Sequence, residues 1–274
     1  MHFKNKTVFI TGGSRGIGLD IAKKLASEGA NIVIAAKTSE PHPKWPGTIH
    51  TAAAEIEAAG GKALACMVDI RDENQVLAAV QKAVDTFGGI DILINNASAI
   101  QLTGTLSTEM KKYDLMNQVN TRGTYLCAQA CLPYLLKSEN PHVLTLSPPL
   151  HVEARWFENH VAYSIAKFGM SLCTLGMAAE FKGKVAFNSL WPKTIIATAA
   201  IEFGIGNAAM MQLGRKGSIM ADAASAILQK DAKTVSGHFY IDEDVLRAEG
   251  VSDFTEYRVN PNTPEDQLLP DFFI

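Results

Sequence analysis

The chain has 274 residues, of which 47% are hydrophobic, and its formal net charge is −3 at pH 7. This length and apolar content are enough for one large hydrophobic core, so we expect a single domain over residues 1–274. The weak negative charge makes nucleic acid an unexpected partner, and the sequence shows neither a secretory signal nor an apolar run long enough to span a bilayer.

Short β-branched and apolar runs alternate with longer segments of helical periodicity. The first strand is predicted at 6–12, and a helix follows from the spacing of Ile17, Ile21 and Leu25. A segment with three prolines at 38–48 is predicted to be an extended surface loop. The other predicted strands are 31–36, 62–69, 91–98, 142–147, 184–190 and 237–243. The other predicted helices are 48–61, 73–89, 109–137 and 162–182.

This alternation predicts an α/β fold: a single doubly wound parallel sheet of Rossmann type, with about seven strands and helices on both faces. A C-terminal tail is predicted at about 245–274. Residues from about 195 to 216 predict a hinged lid over a hydrophobic substrate, with Trp156 and Phe157 as the opposite wall. The alternative for this segment is an amphipathic helix packed on the core. The large apolar residues of the lid are Ile201, Phe203, Ile205, Met210 and Met211.

A glycine-rich loop, "TGGSRGIG" at 11–18, joins the first strand to the first helix. Glycines permit a tight turn and close approach of a pyrophosphate, which the helix N-terminus attracts. The loop therefore predicts dinucleotide binding, the alternative being a turn that only connects strand and helix. Its candidate dinucleotide contacts are Gly12, Ser14, Arg15, Gly16, Ile17 and Gly18.

Polar residues end the next three predicted strands. Lys37 follows the second strand, Asp69 ends the third, and Asn96 and Ala97 end the fourth. Ligands of open α/β sheets bind at this carboxyl edge, so these residues are candidate coenzyme contacts. Each is alternatively an ordinary helix cap or turn residue.

Four motifs in order, "TGGSRGIG", "NNAS", "VNTRGTY" and "YSIAK", resemble the classical short-chain dehydrogenase/reductase family over residues 6 to about 245. The resemblance implies an NAD(P)-dependent oxidoreductase in which Tyr163 is the catalytic acid or base. It also implies that Lys167 holds the nicotinamide ribose, that Asn120 supports a water relay behind this lysine, and that Thr194 contacts the coenzyme.

The spacing of Tyr163 and Lys167 agrees with this role on chemical grounds. Residues four apart lie on one face of a helix, and a lysine charge there favours the phenolate of a tyrosine whose free pKa is about 10. The alternative is a surface lysine beside a half-buried tyrosine.

Two positions depart from the family pattern. At the end of the fifth strand, "LTLSPPL", Ser147 matches the first serine of the usual pair and Pro148 replaces the second, catalytic one. Ser147 is a candidate substitute that contacts the substrate, or alternatively caps the strand end. In "LWPKT", Lys193 replaces the usual glycine. Three roles are open for Lys193: contact with a substrate anion, contact with the coenzyme, or a side chain that points outward.

The expected coenzyme is NADP rather than NAD. An acidic residue after the second strand would bond the ribose 2′-hydroxyl of NAD, whereas this chain has Lys37 there, followed by Thr38. Arg15 can reach the same position, and the two cations would hold the 2′-phosphate of NADP. The alternative is that both are solvated surface cations.

The helix at 162–182 is apolar or small nearly all round, which predicts a second buried face and hence a homodimer or homotetramer. The alternative is a helix buried deep in its own fold. The leading function is hydride transfer between nicotinamide and a hydrophobic carbonyl or secondary alcohol. The alternative function is a dinucleotide-binding sensor or lipid-ligand carrier with little turnover.

Four cysteines, none in a CxxC pair, are typical of a reduced, cytoplasmic protein. Cys127 and Cys131 could share a helix face, but two ligands make only half a metal site, and no metal is assigned.

Overall fold

The computed structural model describes residues 2–43 and 45–274, without the side chain of Ile205. Seven parallel strands form one sheet in the order β3-β2-β1-β4-β5-β6-β7. The strands are β1 Thr7–Thr11, β2 Asn31–Ala36, β3 Lys62–Met67, β4 Ile92–Asn95, β5 His142–Thr145, β6 Ala186–Trp191 and β7 Phe239–Ile241. The predicted doubly wound sheet is confirmed, and its strand order reverses direction between β1 and β4. A ligand cleft forms at such a reversal.

Helices cover both faces of the sheet. They are α1 Gly16–Ser27, α2 Ile49–Ala58, α3 Glu73–Phe87, α4 Met110–Met116, α5 Gly123–Leu135, α6 Val161–Glu180, α7 Ala208–Met211, α8 Ser218–Leu228 and α9 Asp242–Ala248. Because side chains alternate along a strand, Val8 and Ile10 of β1 pack with α1, α2 and α8 on one face, while Phe9 packs with α3 and α5 on the other. Helices α8 and α9 were not predicted from the sequence.

The predicted long helix at 109–137 contains a π-helical turn. This turn, Asn117–Arg122, joins α4 to α5 without a break. Its wider spacing adds a residue to the turn, so the two halves of the helix face different neighbours. Met116 at the end of α4 packs in a cluster with Tyr163, while Leu126 and Cys127 of α5 pack against the sheet.

Within the described part of the chain, α6 is long and apolar enough to cross a membrane, by length and composition alone. Its mean hydropathy is 1.2, and most of the helix is buried inside the protein. The sequence prediction that no segment reaches this length is therefore wrong for α6. Burial against β6 and the π-helical turn is what a core helix of a parallel sheet requires, so α6 is apolar for that reason.

Residues 249–274, predicted as part of an unassigned tail, pack on the chain that follows β6. Pro270 forms an antiparallel bridge with Thr194. A buried ion network supports this packing. Arg215 is fully buried and pairs with Glu243 of α9 at 2.5 Å and with Glu265 of the tail.

Candidate active site

The glycine loop adopts the conformation that its sequence predicts. Gly12 and Gly16 have φ values of 67° and 55°, in the left-handed region that glycine adopts readily. A Cβ added to Gly12 would lie 2.9 Å from the Cα of Ala97, so a side chain there is excluded by sterics as well. Glycine is therefore required at this position of the turn before the N-terminus of α1.

Asn96 and Ala97 hold the glycine loop from β4. The Asn96 Nδ2 donates to the carbonyl oxygens of Thr11 at 2.9 Å and Gly12 at 3.0 Å. A Cβ on Gly18 would collide with this amide. Gly18 therefore lets the start of α1 pack closely on Asn96, and Asn96 stabilises the glycine loop through its two hydrogen bonds.

Arg15 connects the glycine loop to the proline-rich loop at 38–48. Its Nη2 donates to the carbonyl of Gly47 at 2.8 Å, and a Cβ on Gly47 would lie 2.6 Å from the carbonyl oxygen of the buried Ser14. Burial lowers the pKa of the Arg15 guanidinium. Its Nε is buried and lacks a hydrogen-bond partner among the described residues. Ile17, the next candidate, is partly buried against the core.

Lys37 and Asp69 meet at the ends of β2 and β3. The Lys37 Nζ lies 3.6 Å from the Asp69 carboxylate, and the lysine side chain is 59% exposed. Hydrogen bonds from Arg71 to Asp69 lower the pKa of that carboxyl to about 2. Two cations therefore surround one carboxylate, which leaves a net positive charge at this edge of the sheet.

Tyr163 and Lys167 lie one turn apart on α6, and both are buried. The Lys167 Nζ donates to the carbonyl of Leu146 at 2.6 Å and lies 4.8 Å from the ring centroid of Trp191. Burial lowers the pKa of Lys167 to about 7. Burial, followed by the nearby charge of Asp271, raises the pKa of Tyr163 above its ordinary value. The phenol is therefore neutral, which differs from the expected phenolate and suits a proton donor.

Asn120 lies in the π-helical turn and is fully buried. Its Oδ1 accepts a hydrogen bond from the backbone of Ala99 at 2.7 Å, and its Nδ2 donates to the carbonyl of the same residue at 3.0 Å. These bonds fasten the helix to the chain after β4. In the described structure Asn120 and Lys167 share no direct hydrogen bond, and the relay through water stays a prediction.

Ser147 is turned toward β6. Its Oγ lies 3.1 Å from the Oγ of Ser189, which in turn donates to the carbonyl of Ser147, and the side chain is fully buried. This geometry disfavours the predicted substrate contact and gives the hydroxyl a role in joining β5 to β6. The carbonyl of Pro148 accepts a hydrogen bond from Ser171 at 2.7 Å.

The structure narrows the three alternatives for Lys193. Its Nζ lies 2.9 Å from the Glu243 carboxylate, so the side chain joins the ion network instead of pointing at the glycine loop.

Thr194 is different, because its buried hydroxyl has no hydrogen-bond partner among the described residues. An orphaned hydroxyl next to the expected nicotinamide position suits a coenzyme contact.

The predicted lid covers the glycine loop. A Cβ on Gly16 would lie 3.4 Å from the methyl group of Thr198, and the Phe203 ring meets Trp45 of the proline-rich loop edge to face at 6.2 Å. The side chain of Ile205 lies outside the described part of the structure. Trp156, predicted as part of the wall opposite the lid, instead packs on Phe273 of the C-terminal tail, with 5.9 Å between the ring centroids.

Family comparison agrees with this geometry. A model of the short chain dehydrogenase family matches residues 6–203. The chain therefore belongs to this family of NAD(P)-dependent oxidoreductases, and the fold and motif order predicted from sequence are confirmed.

Individual relatives are closely similar. Hydroxysteroid dehydrogenase-like protein 2 of Danio rerio is 62% identical over 98% of this chain, and the human protein of that name is 59% identical over the same share. The chain spans 63% of the length of both relatives. A crystal structure from Xanthomonas campestris has a TM-score of 0.95 at 55% identity, covering 100% of this chain and 99% of the other.

The residues present fit a nicotinamide dinucleotide. Gly12 and Gly16 hold the glycine loop at positive φ, and the Arg15 Nε and the Thr194 hydroxyl are buried polar groups without a hydrogen-bond partner among the described residues. These groups lie on the glycine loop and after β6, the two segments between which the family binds its coenzyme.

Proposed function

We propose that this chain is an NADP-dependent oxidoreductase that interconverts a hydrophobic carbonyl compound and its secondary alcohol, with Tyr163 as general acid or base. The observation that carries the proposal is the buried Tyr163–Lys167 pair on α6. An enclosed, apolar environment around a proton donor is what carbonyl reduction requires, because water there would compete for the proton.

Proton transfer falls to Tyr163. Since its pKa is raised, the phenol is protonated at neutral pH and donates to a carbonyl oxygen in the reductive direction. The bound nicotinamide would supply the hydride. Lys167 lies one turn away, and its pKa is about 7. In this proposal its Nζ donates a hydrogen bond to the nicotinamide ribose of the bound coenzyme. Pro148 has no side-chain donor, so Tyr163 alone polarises the carbonyl in this proposal.

Coenzyme choice rests on Arg15 and Lys37. A second phosphate on the adenosine ribose would add two negative charges where Lys37 is exposed and the Arg15 Nε lacks a partner. The nearby Asp69 carboxylate would oppose this charge, but Arg71 already neutralises it. We expect NADPH to bind roughly 10- to 100-fold more tightly than NADH, the sum of two charge-assisted contacts that are partly exposed.

Turnover distinguishes this proposal from a sensor or carrier. NADPH oxidation would be followed with hydrophobic aldehydes and ketones, for the wild type and for Tyr163→Phe. We expect a loss of about 10²- to 10⁴-fold in the variant, and no loss in the control Tyr134→Phe, whose hydroxyl contacts Gln81 on the surface. Tight NADPH binding without turnover across the panel would contradict the enzyme and favour the alternative.

A second experiment tests the coenzyme. Fluorescence titrations would compare NADPH and NADH on the wild type, on Lys37→Asp and on the control Lys62→Asp, an exposed lysine at the opposite end of β3. We expect Lys37→Asp to reverse the preference and Lys62→Asp to preserve it. Equal or tighter NADH binding to the wild type would refute the preference.

A further inference from the structure

The C-terminal tail places an aromatic side chain beside the candidate proton donor. The Phe273 ring lies 6.3 Å from the ring of Tyr163, and 5.3 to 5.9 Å from those of Phe168, Trp191 and Trp156. Phe273 is only 1% exposed. An apolar group that is not part of the sheet or its helices therefore fills the space next to Tyr163.

Hydrogen bonds hold the last residues of the C-terminal tail, 268–274, in this position. The backbone of Asp271 donates to the carbonyl of Lys193 at 3.0 Å, and the Trp191 Nε1 donates to the carbonyl of Phe272 at 2.6 Å. Trp191 is the last residue of β6, and Lys193 follows two residues later. These two bonds therefore fix the end of the tail to the edge of the sheet where the coenzyme is expected.

The backbone of Phe273 is unusual for a bulky residue. Its φ is 72°, in the left-handed region that non-glycine side chains rarely adopt. Such a conformation persists only where surrounding contacts maintain it, and strained residues of this kind concentrate at ligand sites.

Phe273 restricts what can approach Tyr163. A substrate must bring its carbonyl oxygen within hydrogen-bond reach of the phenol, so the groups attached to the carbonyl carbon share the space around this ring. The side chains packed in one cluster with Phe273 are aromatic and aliphatic, which disfavours hydroxyl-rich compounds beside this ring. A slender, flexible chain needs less of this space than a rigid fused ring system does.

Building on the proposed function, we propose that Phe273 is the specificity-determining residue of the substrate pocket and selects unbranched aliphatic ketones over bulky cyclic ones. A truncated side chain would leave a space of about one phenyl ring beside Tyr163. Cyclic ketones would then gain access, and the unbranched ones would lose a packing surface.

The test compares 2-decanone with 2-decalone, a straight-chain and a bicyclic ketone with the same number of carbon atoms. The ratio of their kcat/KM values would be measured for the wild type, Phe273→Leu and Phe273→Ala. We expect the wild type to favour 2-decanone and Phe273→Ala to shift the ratio toward 2-decalone by roughly 10-fold or more, with Phe273→Leu between them. The control is Phe3→Ala, which truncates an equally buried phenylalanine in the core near Glu28.

A binding readout separates this inference from the proposed function. Two of the three tryptophans, Trp156 and Trp191, pack on Phe273 and report on its surroundings by fluorescence. With NADP present, 2-decalone should bind at least tenfold more tightly to Phe273→Leu or Phe273→Ala than to the wild type. Lack of turnover with every ketone would refute the proposed function, while this titration would still decide on Phe273. Unchanged ratios and unchanged 2-decalone affinity in both variants would overturn the inference.

Discussion

Replacement of Glu243 by glutamine should destabilise the protein far more than its small change in shape suggests. The Glu243 side chain is 1% exposed and lies between Arg215 at 2.5 Å, Arg247 at 2.7 Å and Lys193 at 2.9 Å. Glutamine keeps the volume and removes the charge, so within the described part of the chain the fully buried Arg215 keeps one ion pair, with Glu265, whose side chain is 49% exposed. Loss of one partner from a buried pair costs about 3–5 kcal/mol. Because Arg215 keeps its pair with Glu265, we expect a loss at the lower end of this range, about 3 kcal/mol.

The assay is urea unfolding at neutral pH, with Glu249→Gln as the control. Glu249 forms a pair of similar length with Lys230 at 2.8 Å, but both side chains are partly exposed, so its loss should cost less than about 1 kcal/mol. A loss in Glu243→Gln no larger than in Glu249→Gln would refute the argument that burial gives this network its strength.

The pH dependence provides a second check on Glu243. Burial raises the pKa of its carboxyl, but the hydrogen-bonded cations outweigh this effect and lower it to about 2, below the ordinary 4.5. A carboxylate whose pKa is lowered on folding stabilises the protein above its unfolded pKa. The difference in stability between wild type and Glu243→Gln should therefore be complete above pH 4.5 and shrink as the pH falls toward 2.

Three further predictions address other parts of the molecule. Burial lowers the pKa of His142 to about 4 from 6.5, so the wild type should lose about 3 kcal/mol relative to His142→Gln as the pH falls through this range; parallel urea-unfolding stabilities would contradict this. Gly12→Ala forces a side chain against Ala97 at positive φ and should weaken NADPH binding at least tenfold in a fluorescence titration, whereas retained affinity would show that the turn adapts. The wild type should sediment as a dimer or tetramer and Leu172→Glu as a monomer, because Leu172 and Leu175 of α6 are exposed and apolar; a monomeric wild type at micromolar concentration would refute self-association.

The central strands β1, β4, β5 and β6 were predictable because they are covered on both faces. Val8, Phe9 and Ile10 are all fully buried, so alternation gives way to an unbroken apolar run that is recognisable without a structure. Helix α8 escaped prediction for the opposite reason. Its sequence, "SIMADAASAIL", is small and apolar on most sides because α1 and α9 enclose it, and no single stripe marks it as a helix.

The coenzyme end of the site was more predictable than the substrate end. Local sequence specifies the glycine loop, because strand, turn and helix follow one another directly. The orientation of Ser147 depends on Ser189 of another strand, and that of Lys193 depends on Glu243 of α9. Phe273 had no local signal at all, since a short aromatic segment in a tail carries no periodicity that indicates where it packs.

The π-helical turn constrains how the length of this chain can vary among its relatives. Deletion of one residue between Asn117 and Arg122 would replace the wide π-helical turn by an ordinary helical turn and displace the fully buried Asn120. Asn120 would then lose its bonds to the backbone of Ala99. Alignment gaps should therefore be absent from this turn. They should collect instead at sites such as Gly88, where an added side chain would meet no atom within 4 Å.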